Sequence, residues 1–429
     1  MRTYHTSHLT PSLWRELRTR PWSIDGQVKR SVEEICVNVK RQGDAALREY
    51  TRQFDAVSLS DFRVSPSEMI TARQRLSHEL LEAIETAALN IRAFHAAQLR
   101  REQPVETTPG VICWREQRPI EHVGLYVPAG SAPLPSTALM LGVPALLAGC
   151  FRVIMCSPPK SDGAIDSTIL AAAESIGISE VHKVGGAQAI AAMAYGTESI
   201  PKVDKIFGPG NQYVTAAKQF VSSDPDGASI DLLAGPSELL ILADEGADAK
   251  FVASDLLSQA EHDPNSQVVL ITTTQTLAKD VENYLEHLLA ELPRKEIASR
   301  ALERSFTLIV DSLEEGVRRS NDYAPEHLIL NIADPERLIP LVSNAGSVFT
   351  GQYAPVTAGD YASGTNHTLP TGGMARWFSG VSVESFQKTL TFQRITRNGL
   401  QQLAPTLTTL AEAEGLEGHK RAVTARLGK

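Results

Sequence analysis

The chain has only four cysteines in 429 residues, Cys36, Cys113, Cys150 and Cys156, and no CxxC pair. That excludes a disulfide scaffold and a thiolate zinc site, and it suits a reducing cytoplasm. No run of 18 apolar residues exists, so nothing is expected to span a membrane. The opening MRTYHTSHLTPSLWREL lacks a continuous apolar segment, so no secretory signal is expected. Positive charge is also scarce: the net charge is -9 and the pI about 5.7, with no long Lys/Arg run. Nucleic acid and anionic membranes are poor partners for such a surface. Any anionic ligand must be held locally, by backbone amides and dipoles. Finally, the dinucleotide fingerprint GxGxxG is absent.

What is present is an ordinary globular composition, 42% hydrophobic and 21% charged, over a length that calls for two to four structural units. Residues 1–25 form a polar lead-in with Trp14 and Trp22, expected as a short helix docking elsewhere. Residues 26–103 carry helical periodicity, broken at Gly43. From 120 the texture changes to short apolar runs, each followed by a Gly/Pro-rich turn and a helical stretch. HVGLYVP, FRVIMCSPP, EVHKVGG and DKIFGPG form one set; ELLILAD, QVVLITT, FTLIVD, HLILNI and GSVFTG form a second. Near-continuous apolar strands alternating with helices indicate parallel sheets covered on both faces. The expected fold is α/β, with two successive Rossmann-like parallel-sheet modules and small helical N- and C-terminal segments. The expected units are 1–25 as a docking segment, 26–122 with 235–381 as a larger α/β domain, 123–234 as a second α/β domain, and 382–429 as a C-terminal arm. Leu400, Leu403, Leu407 and Leu410 lie on one helical stripe of that arm, which is too short to own a core.

Several stretches carry polar residues that a core does not need. In SDLLSQAEHD a helix would put Gln259 and His262 on one face, as half of a metal site or half of a polar substrate pocket. The turns at Gly185-Gly186 before Gln188, and at Gly208-Pro209-Gly210-Asn211, can present helix N-termini to a phosphate or serve as plain β–α turns. Tyr126 ends a strand, where it can stack on a base or sugar, or face the core edge. In YAPEHLILNI, Glu326 and His327 begin an apolar strand, at a mouth of the sheet where α/β ligands usually bind. A carboxylate beside an imidazole suits acid–base work; a polar strand cap is the plainer alternative. GQYAPVTAGDYASGTNHTLPTGG is a long glycine-rich loop holding Asp360, Asn366 and His367, either ligands or a solvated surface. Glu414 and His419 flank glycines in AEAEGLEGHK, which alone reads as a helix end. Together, Gln259, His262, Asp360 and His419 offer two imidazoles and two oxygen donors, a set that suits a zinc-like ion with room for substrate atoms.

Taken in order, GLYVPAGSAPLPSTALML, KVGGAQAIAAMAYGTESIPKVDKIFGPGN, DLLAGPSELLILAD, FVASDLLSQAEHD, APEHL, GSVFTGQYAPVTAGDYASGTNHTLPT and AEAEGLEGHKRAV resemble the histidinol dehydrogenase family. The resemblance runs from about residue 120 to 423. It implies two successive NAD-dependent oxidations of L-histidinol, through a bound histidinaldehyde, to L-histidine. It implies one zinc per subunit on Gln259, His262, Asp360 and His419, with the substrate completing the coordination. It implies His327 as general base, Glu326 as the group that activates water on the aldehyde, and Ser237, Glu414 and His367 as substrate contacts. Tyr126, Gln188 and Asn211 match cofactor contacts. It further implies a homodimer whose C-terminal arm crosses over, so that Glu414 and His419 complete the neighbour's site. One departure is Ala129, where many relatives carry glycine; with Gly130 retained, little effect is expected.

Other readings are weaker. A different alcohol substrate sits poorly with Ser237, Glu414 and the metal quartet. A thiohemiacetal on Cys150 or Cys156 requires reactive thiols, whereas both lie in or beside a buried-strand pattern. A non-catalytic, metal-stabilised assembly would not need Glu326 and His327.

Overall fold

The computed structural model describes residues 1–20, 24–99, 102–129 and 132–428; Trp22 and Gly130 lie outside the described residues. Both sets of apolar runs form strands. The second set builds a six-stranded, all-parallel sheet in the order Arg2–His5, Phe306–Ile309, Gln267–Thr272, Glu238–Ala243, His327–Asn331, Ser347–Thr350. The unbroken apolar run of Glu238–Ala243 follows from the pleat. Leu239 and Ile241 face one helical layer, Leu240 and Leu242 the other, and all four are fully buried. A strand covered on both faces has no polar side to alternate with. Each such side chain contributes about 1.5–3 kcal/mol of transfer free energy.

The first set builds a five-stranded parallel sheet in the order Val181–Lys183, Arg152–Ser157, His122–Tyr126, Lys205–Phe207, Ser229–Ile230. Here the structure corrects the expected domain division. The helices Gly26–Gln42, Asp44–Phe54, Pro66–Gln74 and His78–Ala96, assigned with the larger domain, cover the five-stranded sheet instead. Val28, Val32, Ile35 and Val39 form a helical stripe that packs on the alanine-rich helix Gly186–Tyr195. Small alanines let two helices approach closely, and the stripe buries itself where that groove lies. The break at Gly43 is real, with φ +54 between two helices.

The lead-in also differs from expectation. Arg2–His5 is an edge strand of the six-stranded sheet, Arg2 opposite Phe306. The following helix Pro11–Leu17 sets Trp14 edge-on to Phe306, centroids 6.3 Å apart. The C-terminal arm, expected to be helical, opens with the strand Gln387–Ile395. It pairs antiparallel with Val111–Pro119 along nine residues, in a three-stranded sheet completed by Val105–Thr108. Two helices follow, Arg397–Ala413 and Glu417–Arg426, and the second has no buried residue. Leu410 is 56% exposed and Leu416 40%, so the arm does lack a core of its own. No described helix is long and apolar enough to cross a membrane.

Candidate active site

Helix Ala249–Ala260 starts on an Asp248 cap, whose carboxylate accepts from Lys250 N–H (2.8 Å) and Phe251 N–H (3.3 Å). Burial of Leu256 and Leu257 fixes its rotation and turns Gln259 inward. The helix ends at Ala260, so His262 is not helical as expected. It sits in the following turn, where its N–H donates to Gln259 O at 3.3 Å and keeps the two side chains neighbours. Gln259 Oε1 is shielded and has no hydrogen-bond partner. An orphaned buried amide oxygen costs about 1–3 kcal/mol, which marks a place built for a ligand.

His327 is the first residue of its strand, as its place at the start of the apolar run implied, so Glu326 and His327 lie at the amino ends of the six-stranded sheet, opposite the carboxyl ends where α/β ligands usually bind. Its Nδ1 is 3.1 Å from Glu238 O. A carbonyl only accepts, so Nδ1 carries a proton, and in the neutral ring Nε2 presents its lone pair. Glu326 Oε2 accepts from Glu238 N–H at 2.8 Å and lies 3.5 Å from His327 Nδ1. One residue, Glu238, thus holds both side chains through its backbone. His327 Nε2 has no hydrogen-bond partner and faces Asp360 Oδ1 at 3.6 Å. Burial alone lowers the His327 pKa; the Glu326 and Asp360 carboxylates outweigh it and raise it to about 10. With both carboxylates ionised the ring is therefore charged at neutral pH; neutralising Asp360, as a bound cation would, removes part of that pull and favours the neutral ring that a base requires.

Asp360 rides on the short helix Val356–Tyr361. Burial disfavours its ionised form, but His327, His367 and His262 around it bring its pKa below the usual range. His367 Nε2 is shielded and unpartnered, and burial lowers its pKa despite Asp360. The glycine-rich loop is anchored rather than solvated: Asn366 Nδ2 donates to Met140 O at 2.6 Å, and Thr368 N–H donates to Asn366 Oδ1 at 2.9 Å. Asn366 is therefore a structural tie. Ser237 precedes Glu238 on the segment joining the two sheets, and its backbone O accepts from Gln267 N–H at 3.2 Å. Gln259, His262, His327, Asp360 and His367 are thus brought together. Glu414 and His419 are not; both are exposed on the arm. Among the described residues, no three His, Cys, Asp or Glu side chains of this one chain gather to hold a metal.

Facing this cluster is a cavity of about 910 Å³ at the carboxyl ends of the five-stranded sheet. It is lined by Tyr126, Ala129, Pro158, Gln188 and Asn211, with His262 at its edge. Tyr126 is a core residue: its hydroxyl accepts from Gly186 N–H at 3.0 Å, and burial pushes its pKa up to about 12. Asn211 caps helix Gln212–Ser223, accepting from Tyr213 N–H (3.0 Å) and Val214 N–H (3.2 Å). The turn before it needs glycine: Gly208 has φ +124, and a Cβ there would meet Tyr126 O at 2.2 Å. Asn38, Tyr50 and Asp55 also line the cavity. They went unnoticed in the sequence because their helices were assigned to the other domain. Neither thiol suits catalysis: burial raises the Cys150 pKa to about 12 and pushes Cys156 higher.

The chain is similar to known proteins over nearly its whole length. A family model described as histidinol dehydrogenase matches residues 18–427. The histidinol dehydrogenase of Vibrio cholerae is 52% identical, over 100% of this chain and 99% of its own length. That of Pectobacterium atrosepticum is 52% identical, over 96% of this chain and 93% of its own. The crystal structure of histidinol dehydrogenase from Elizabethkingia anophelis superposes with a TM-score of 0.97 at 50% identity, covering 100% of this chain and 98% of that one.

The chain belongs to the histidinol dehydrogenase family.

Within that family frame, sequence reading missed Glu238, whose contribution is made by backbone atoms. No side-chain motif signals a residue that acts through its own N–H and C=O.

Proposed function

We propose that the chain oxidises L-histidinol to L-histidine, the closing reaction of histidine biosynthesis, passing two hydrides to NAD through an aldehyde kept bound between the steps. Family membership supports the reaction class. One observation carries the site: three shielded polar atoms without partners, Gln259 Oε1, His327 Nε2 and His367 Nε2, on residues grouped near Asp360. A metal and a substrate are what such atoms lack. Gln259, His262 and Asp360 supply mixed oxygen and imidazole donors that suit zinc, with His419 as the fourth. When bound, zinc supplies a template and an electrophile for the substrate's imidazole and amine.

In the first step, His327 Nε2 takes the alcohol proton as the carbinol carbon gives up its hydride. Nδ1, tied to Glu238 O, keeps the lone pair aimed. In the second, Glu326 takes a proton from the water that adds to the aldehyde, and the hydrate gives up the second hydride. Ser237, His367 and Glu414 hold the substrate. Tyr126, Gln188 and Asn211 shape the cavity for NAD, and the helix beginning at Gln212 favours its pyrophosphate.

The exposure of Leu410, Leu416, Glu414 and His419 on the arm supports a homodimer in which each arm completes the neighbour's site. Four free cysteines fit a cytoplasmic location. The test is stoichiometric: with zinc, excess NAD and limiting L-histidinol, two NADH form per substrate. A yield of one or none rejects the proposal.

A further inference from the structure

The catalytic pair hangs on the backbone of Glu238, so whatever fixes Glu238 fixes the pair. Glu238 is 1% exposed and lies among apolar strands, yet it carries a carboxylate. The partner is Arg20, from the segment that follows the first helix. Arg20 Nε donates to Glu238 Oε1 at 3.1 Å and Nη2 to Oε2 at 3.0 Å, a two-pronged ion pair. The same guanidinium donates to Tyr323 O at 2.7 Å and to Arg18 O at 2.9 Å. It also lies 3.5 Å from the centroid of the Tyr323 ring. The Tyr323 hydroxyl in turn donates to Gln267 Oε1 at 2.8 Å. Glu238 Oε1 accepts once more, from Gly372 N–H at 2.6 Å, and neighbouring Thr371 takes Gly235 N–H at 2.5 Å. One guanidinium therefore pins the strand start that bears Glu238, the turn at 371–373 and, through it, the segment leading to Ser237.

A buried ion pair is weak grounds for stability, because desolvation of both charges offsets their attraction. What it supplies is geometry. A planar fork fixes a carboxylate in position and angle, which a lysine ammonium cannot do. We infer that Arg20 is a positioning residue for the reaction, acting through Glu238 to hold His327 Nδ1 and the Glu326 carboxylate. The inference rests on the roles proposed above for Glu326 and His327. Arg20 does not line the cavity facing the cluster, so its loss acts on turnover and, through the segment leading to Ser237, on histidinol binding, and leaves NAD binding unchanged.

The experiment compares full-length wild type, Arg20→Ala and Arg20→Lys for L-histidinol turnover, for KM of both substrates and for thermal unfolding. For Arg20→Ala, kcat falls about ten- to a hundredfold, the effect of a displacement near 1 Å, while KM for NAD stays within about threefold. Millimolar guanidinium ion restores part of the rate, and Arg20→Lys recovers less than the free ion. A folded Arg20→Ala with wild-type kcat overturns the inference. So does a loss shared equally by kcat and NAD affinity with no recovery by guanidinium. If Arg20→Ala does not fold, Arg20→Lys decides: it keeps the charge but not the fork, and full turnover overturns the inference. A wild type that does not oxidise histidinol defeats the functional proposal instead, so the two failures are distinct.

Discussion

The two parallel sheets meet the site from opposite ends. The five-stranded sheet presents carboxyl ends, where Tyr126, Gln188 and Asn211 sit beside helix N-termini. The six-stranded sheet presents amino ends, with Glu238 and His327 as first strand residues and Gln259 in the last turn of its helix. Helix termini carry about half a charge, positive at the N-terminus and negative at the C-terminus. The same architecture, turned end for end, therefore makes one wall that favours an anion and one that favours a cation. A pyrophosphate suits the first wall and a divalent metal with a proton-handling histidine the second. The difference explains how a dinucleotide can be held without GxGxxG. The backbone amides and dipoles are present, but the glycines are spaced for a different turn.

The sharpest break of this division is chemical. His327→Asn removes from the second wall the ring nitrogen that lies 3.6 Å from Asp360 Oδ1. Turnover of histidinol falls by about two to four decades, the usual worth of a general base. NAD binding, measured by fluorescence titration, stays unchanged because the first wall is intact. An unchanged rate of the first hydride transfer sinks the role. Next in size is a test of the arm. His327→Asn and His419→Ala subunits, each inactive alone, are mixed and allowed to exchange. If arms cross between subunits, about a quarter of sites regain a full set of residues. A mixture as inactive as its components shows that the arm serves its own chain.

Legibility in the sequence followed the physics of each region. The sheets were readable because burial on both faces leaves runs such as ELLILAD with no polar alternation. Candidates in the two walls could be picked out as polar residues that no core required. What stayed hidden was partnership at a distance. Helix Gly26–Gln42 shows its stripe plainly, yet nothing in the stripe says which sheet it covers. Arg20 and Glu238 stand 218 positions apart, and neither belongs to a motif. The arm's strand QKTLTFQRI was passed over because its partner, Val111–Pro119, lies in the other half of the chain.

On the wall proposed to hold the cofactor, Gly208→Ala brings a methyl into Tyr126 O and forces a side chain to φ +124. The expected result is a rise of about tenfold in KM for NAD, with KM for histidinol and metal content unchanged. A KM for histidinol that rises in parallel denies the independence of the two walls.

The smallest effect leaves activity at neutral pH untouched and compares two buried histidines. Carboxylates raise His327, whereas His182, in the five-stranded sheet, is lowered to about 4. Burial dominates there, Arg63 and Arg152 add to it, and Glu180, 3.9 Å away, opposes it too weakly. Neither ring nitrogen of His182 has a hydrogen-bond partner. The unfolded chain, titrating near 6.5, takes up this proton before the folded one does. Stability from His182 is therefore complete above about pH 6.5 and is lost as pH falls towards 4. At pH 5 the loss amounts to about 2 kcal/mol. His182→Leu removes the titration and the two unsatisfied nitrogens together. Its unfolding free energy should fall less than that of the wild type between pH 7 and 5, as read from urea curves at both values. Parallel losses in the two proteins would mean that His182 titrates alike in the folded and unfolded chains, and that the acid-sensitive group lies elsewhere.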